Sequence, residues 1–275
     1  MKDADHEKIL KKLEGEIAAL AAAVPLYRES ISHKTTRFAG SGWFLGVAES
    51  VFLVSASHVL KRLQGTDVEV RVGLPNKMAL LRLTGNAKMF GEPADVGIVQ
   101  LDDAGLEHVR GLRVLRVPDL DQSRDSDTSL WVEGFPAERN TGEPRGFRAI
   151  GYLTTRPINI PKGLQNYDSE LNGLYEIDHN DPTSDCSDDP WLPDSFDGMS
   201  GCPVWTLPKN LEMGGSGGPS LQLSGVQTSV YPKQQGQQLG KFTHVSVVIN
   251  LLILMRPDLR QSLSIEFPAL RGPVR

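Results

Sequence analysis

With 275 residues, 39% of them hydrophobic and 23% charged, the chain can bury a sizeable core, and its 27 Gly and 18 Pro mark frequent turns without the composition of collagen or of a disordered chain. The 29 Lys and Arg against 34 Asp and Glu give a formal charge of -5 with no basic block, so a nucleic-acid backbone meets no electrostatic footprint. Two cysteines, Cys186 and Cys202, exclude a disulfide scaffold. The start also lacks a basic-then-apolar leader and no stretch approaches the ~20 apolar residues of a membrane span, so the expectation is a cytoplasmic protein with neither membrane nor nucleic acid as partner.

Residues 4–23 place Ile9, Leu13, Ile17 and Leu20 at spacings of four, four and three, which line one face of a helix ending before Pro25. This N-terminal helical extension, residues 1–34, is expected to pack on its own domain or to dock a regulatory protein partner. From Gly40 the pattern becomes short apolar or alternating runs broken by Gly, Pro, Asn and Asp: SGWFLGV, VFLVSAS, VEVRVGL, VGIVQL, LRVLRV, SLWVEGF, FRAIGYL, LYEID, PVWTL, LQLSGVQTSVY and FTHVSVV. Many short strands predict an all-β sandwich or barrel. The polar stretch PDLDQSRDSD at 118–127 divides the series into a first unit, 35–120, and a second, 121–256. Helical periodicity returns in VVINLLILM, which stops at Arg256 before Pro257, and residues 257–275 read as an irregular tail.

Three segments carry reactive side chains. GSGWFLGVAESVFLVSASHVL delivers His58 at the end of a strand, ADVGIVQL puts Asp95 at the head of an apolar run, and DGMSGCPVW holds Ser200 in a turn flanked by Gly198 and Gly201. Acyl transfer needs a hydroxyl, a base in reach of it and a group that fixes the base's tautomer, and these three supply the parts. SASHV resembles the T-A-A-H segment of trypsin-like serine proteases, DVGIV resembles their D-I-A-L-L, and GMSGCP their G-D-S-G-G-P, in the same order; WVEGFP at Trp131 to Pro136 is similar to a G-x-P turn of bacterial members. The resemblance spans Gly40 to Met255. It implies two packed six-stranded antiparallel β-barrels of the chymotrypsin-like type, flanked here by the N-terminal and C-terminal helices. It also implies a serine endopeptidase acting on a protein or peptide substrate through an acyl-enzyme, with no cofactor and no metal. His58 would take the Ser200 proton, Asp95 would hold the imidazole, and the N–H groups of Gly198 and Ser200 would form the oxyanion hole.

Each assignment has a competitor. His6, His33, His108, His179 and His244 read as packed or surface residues, and Asp102 and Asp103 as turn residues. MGGSGGPS around Ser216 matches the family string better than the Ser200 segment does. Yet the implied nucleophile turn leads into a strand, a hairpin loop and a returning strand, here LQLSGV, and too few residues follow Pro219 for that; PKNLEMGGSGGPS therefore reads as the hairpin loop. Met199 stands where many trypsin-like zymogens carry an Asp that pairs with a new N-terminus, so that activation route is not implied. Cys202 replaces a usual Gly and reads as a small buried residue. Asp194 and Ser195 fall at the base of the implied primary pocket and favour a Lys or Arg side chain, whereas Val230 narrows it, which leaves primary specificity open. Thr228, Ser229 and Val230 are the expected substrate-pairing edge, with Thr228 also supporting Asp95. HNDPTSDCSDD at 179–189 lacks the spacing of a calcium loop and reads as a solvated acidic loop. An intracellular protease needs restraint, hence the regulatory partner expected at the N-terminal helix; the competing function is a catalytically silent protease fold acting as a binding or signalling module.

Overall fold

The computed structural model describes residues 22–64, 68–74, 77–81, 83, 87–122, 129–140, 150–155, 157, 160–177, 196–207, 221–233 and 237–267. Residues 4–21 of the helix expected over 4–23, the acidic run at 179–189, Cys186, Asp194, Ser195 and the loop with Ser216 lie outside them.

The first part of the chain is β1 (Val24–Ser30), β2 (Thr35–Val47), β3 (Ser50–Ala56), α1 (Ser57–Arg62), β4 (Val68–Leu74), β5 (Lys77–Leu81), β6 (Ala87–Met89), β7 (Val96–Gln100), α2 (Asp103–His108) and β8 (Val114–Arg116). Its strands form one sheet in the order β5-β4-β1-β2-β3-β7-β6, with β8 added beside β2. The expected six antiparallel strands are eight, and β8 is parallel to β2. The cause is β2. Its thirteen residues pair with β1 up to Gly42 and with β3 from Trp43 onward, so the edge beside Phe44–Gly46 stays open for β8. Residues 24–30, assigned from sequence to the helical extension, are a strand instead: Val24 and Leu26 point into the core between β2 and β4, and Pro25 sits near the strand's start, where a missing N–H is tolerated.

The second sheet contains β9 (Leu130–Gly134), β10 (Ile150–Thr154), β11 (Asn172–Ile177), β12 (Pro203–Thr206), β13 (Gln222–Val230) and β14 (Gln238–His244), antiparallel throughout, in the order β10-β9-β12-β13-β14-β11. Its two edges meet. The Glu176 N–H donates to the Thr155 carbonyl at 3.0 Å and Thr154 Oγ1 donates to the Glu176 carbonyl, so the sheet curls back on itself. Two helices follow, α3 (Val245–Met255) and α4 (Arg260–Glu266). The irregular tail expected from 257 is thus helical up to Glu266, because Leu259, Leu263 and Phe267 recur at helical spacing and bury against the core.

Three apolar clusters hold the molecule together. One lies inside the first sheet (Leu26, Phe44, Leu53, Val59, Val72), one inside the second (Val132, Tyr152, Tyr175, Val204, Phe242), and the largest between the sheets and α3 (Trp43, Val54, Ile98, Trp131, Trp205, Val248). Adjacent residues therefore serve different cores: Phe44 turns inward while Trp43 and Leu45 face the shared one, and Val132 and Trp131 divide in the same way. This is why the strands read as continuous apolar runs. Both faces are buried.

Candidate active site

Strand β3 ends at Ala56, and the chain turns at once into α1, whose second residue is His58. Asp95 closes the loop before β7 with φ of +46°, a left-handed conformation that Asp adopts more readily than most residues. That turn aims three groups at α1. The Asp95 carbonyl accepts the Ser57 N–H at 2.9 Å, Oδ1 accepts the His58 N–H at 3.1 Å, and Oδ2 meets His58 Nδ1 at 2.6 Å. A carboxylate only accepts, so Nδ1 carries the proton and Nε2 is left with its lone pair toward the cleft. Asp95 is buried and the His58 side chain 35% exposed, so the imidazole of the pair is the member reachable from outside.

Ser200 lies across the cleft in a tight turn that precedes β12. Phe196 to Met199 form the first half, closed by the Met199 N–H on the Phe196 carbonyl at 3.1 Å, with Gly198 at φ +90°. Gly201 follows at φ +95°, where a Cβ would stand 2.0 Å from the Ser41 carbonyl oxygen. Only glycine fits.

Every peptide plane of this turn is held from outside or across it. The Asp197 carbonyl accepts from the Ala137 N–H at 2.6 Å, and the Gly198 carbonyl from Ser41 Oγ at 2.9 Å. The Met199 carbonyl accepts from the Cys202 N–H at 3.0 Å, the Ser200 carbonyl from the Ser41 N–H at 2.9 Å, and the Gly201 N–H donates to the Gln227 carbonyl at 2.7 Å. Ser41 is the hub. Its hydroxyl also accepts the Phe135 N–H at 3.2 Å, and its carbonyl accepts Ser55 Oγ at 2.6 Å. Among the described residues, two N–H groups of the turn have no acceptor, those of Gly198 and Ser200. In a trans peptide each points opposite to the carbonyl before it, and those carbonyls, Asp197 and Met199, are the ones tied back.

His58 and Ser200 line one cavity of about 410 Å3, together with Phe196, Asp197 and the strand end Thr228 to Val230. The pairing of β13 with β12 stops at Val226, so residues 228–230 hold β14 on one side and turn their other edge to the cavity. Thr228 is the bulged residue of this strand. It does not touch Asp95 as expected: its Oγ1 donates to the Lys241 carbonyl at 3.4 Å, because the bulge turns the side chain toward β14. Its own carbonyl accepts Ser200 Oγ at 3.3 Å, and among the described residues that is the hydroxyl's bond; none runs from Ser200 to His58.

The remaining sequence candidates separate cleanly. Asp102 caps α2, its Oδ1 accepting the Gly105 N–H at 2.7 Å. His33 and His108 are exposed, and His244 packs edge-on against Phe242. Met199 is fully buried among Val132, Cys202 and Phe242, an apolar filling for the turn. Cys202 is also fully buried, and burial followed by the charge of Glu133 pushes its thiol well above the usual range, which makes it a poor nucleophile. Among the described residues no cluster of His, Cys, Asp or Glu is arranged to hold a metal ion, and no helix is long and apolar enough to cross a membrane.

No protein-family model matches the chain, and no curated protein matches it. The site therefore rests on its own geometry. Sequence reading missed Ser41, Ala137 and Lys241. Ser41 has a signal in hindsight, a hydroxyl between two glycines in the otherwise apolar stretch from Phe38 to Val47; Ala137 acts through its backbone and has none.

Proposed function

We propose that this protein is a serine endopeptidase of the two-barrel, chymotrypsin-like type, with Ser200 as nucleophile, His58 as general base and Asp95 as the carboxylate that orients it. The observation that carries this reading is the pair of N–H groups, of Gly198 and Ser200, that have no acceptor among the described residues, beside a hydroxyl that shares a cavity with a His–Asp pair bonded at 2.6 Å. In this scheme Ser200 rotates about its Cα–Cβ bond, away from the Thr228 carbonyl and toward His58 across the cavity the two residues line, and such bonds are commonly loose until substrate arrives. An extended peptide would pair with the open edge at 228–230 and present its carbonyl carbon to Ser200 Oγ. As the C–O bond forms, the hydroxyl proton passes to His58 Nε2 and the carbonyl oxygen gains negative charge between the two N–H groups. The imidazolium then protonates the leaving amine, the acyl-enzyme remains, and water repeats the sequence with His58 again as base. No metal or cofactor enters this scheme.

The hydroxyl's bond to Thr228 favours a second reading, a silent protease fold that binds without cutting. Labelling with a fluorophosphonate, read by intact and peptide mass spectrometry, separates the two. Label on the wild type and on Ser216→Ala but absent from Ser200→Ala supports the endopeptidase; labelling that survives Ser200→Ala removes it.

A further inference from the structure

We propose that Lys241 is a positioning residue which holds Asp95 in register with His58 by pinning the loop 91–95 to the second sheet. The proposal rests on the reading of His58, Asp95 and Ser200 given above. Lys241 stands in the middle of β14, paired with Leu174 on one side and Ser229 on the other, and its side chain is 1% exposed. A lysine there is unexpected on stability grounds. An ammonium taken from water costs several kcal/mol unless every proton is matched, and an apolar side chain would fill the same space at no such cost.

Here every proton is matched. Nζ donates to Glu92 Oε2 at 2.7 Å, to the Pro93 carbonyl at 3.0 Å and to the Asn166 carbonyl at 2.8 Å. Two neighbours act on the same loop: Asn172 Nδ2 donates to the Pro93 carbonyl at 3.1 Å, and Thr243 Oγ1 donates to the Ala94 carbonyl. The second sheet thus grips the three residues that precede Asp95. Asp95 itself is in a left-handed conformation and its carboxylate meets two donors of His58 at once, so a small displacement of the loop breaks one bond or both. The backbone of Lys241 joins the other half of the site as well, since its carbonyl accepts Thr228 Oγ1 and the Thr228 carbonyl accepts Ser200 Oγ. One residue of the second sheet therefore sets where the first sheet's carboxylate stands.

The test uses the full chain and two readouts. Proton NMR in water follows the far-downfield Nδ1–H of His58, assigned by its loss in His58→Ala, and fluorophosphonate labelling gives the rate at Ser200. Lys241→Met, of similar length and without donors, is expected to melt cooperatively, to lose or shift that resonance and to label about 100-fold more slowly. Should this variant fail to fold, Glu92→Ala, at a half-exposed position, is expected to move both readouts in the same sense by a few-fold. Wild-type resonance and labelling rate in folded Lys241→Met, or in Glu92→Ala where the first does not fold, overturn the proposal, as does a wild type without the resonance. A wild type that shows the resonance but takes no label removes the endopeptidase reading and leaves the resonance to decide the role of Lys241.

Discussion

The two sides of the cleft are prepared by different means. On the first sheet His58 and Asp95 are joined side chain to side chain, and the charge of Lys241 behind them is matched by Glu92. On the second sheet the backbone around Ser200 is fixed at every peptide plane, yet the hydroxyl itself points to Thr228. On the proposed reading, the base and the oxyanion donors are in place before substrate arrives, and a rotation of the Ser200 side chain is left for the substrate to complete.

Breaking the first side should have the larger effect. Asp95→Asn keeps the shape but allows the amide to donate, which favours the tautomer with its proton on Nε2; turnover is expected to fall about 10^4-fold with little change in KM, measured on a peptide substrate. Gly198→Ala attacks the second side. A Cβ there would lie 2.8 Å from the Ala137 nitrogen and 2.9 Å from the Phe135 carbonyl oxygen, at a φ of +90°, so the turn must shift and its free N–H with it. The expected loss is about 10^2-fold or more in kcat with KM largely kept, read from initial rates on the same substrate.

The same contrast extends to charge. On the second sheet, in β9, Glu133 has one carboxylate oxygen enclosed with no partner among the described residues, and burial pushes its carboxyl up to about 7. The folded chain keeps this proton where the unfolded chain, at the ordinary value of 4.5, releases it. Stability from this group therefore falls as pH rises from about 4.5 to about 7 and is level on either side. Glu133→Gln should raise Tm at pH 8, by an amount corresponding to at most on the order of 3 kcal/mol, and leave it unchanged at pH 4; thermal melts at the two pH values check both.

Much of this arrangement was legible from residues alone, and the parts that were not share a cause. His58, Asp95 and Ser200 were singled out because three short segments, SASHV, DVGIV and GMSGCP, resemble trypsin-like motifs in the same order, and the structure bonds His58 to Asp95 and sets His58 and Ser200 on one cavity. Parts of the first sheet were hidden: β1 carries a proline at its second residue, β5 and β6 carry weak patterns, and β8, within the run LRVLRV, owes its parallel pairing to an edge that exists only because β2 changes partner after Gly42. The role of Thr228 was misread because a bulge reverses a side chain without leaving a mark in composition. Ser41 and Lys241 act across 157 and 149 residues of chain on Gly198 and Glu92, a distance at which sequence pattern carries no information about contact.

The most direct measurement is to trap the acyl-enzyme. Mixing the full chain with activated peptide esters, quenching in acid within the first turnover and sequencing the modified peptide by mass spectrometry reads the bond that the arrangement is built to make. The account predicts a burst of leaving group stoichiometric with enzyme and an acyl group on Ser200, both lost in Ser200→Ala and in His58→Ala. Steady release with no adduct, or an adduct that persists in Ser200→Ala, contradicts it.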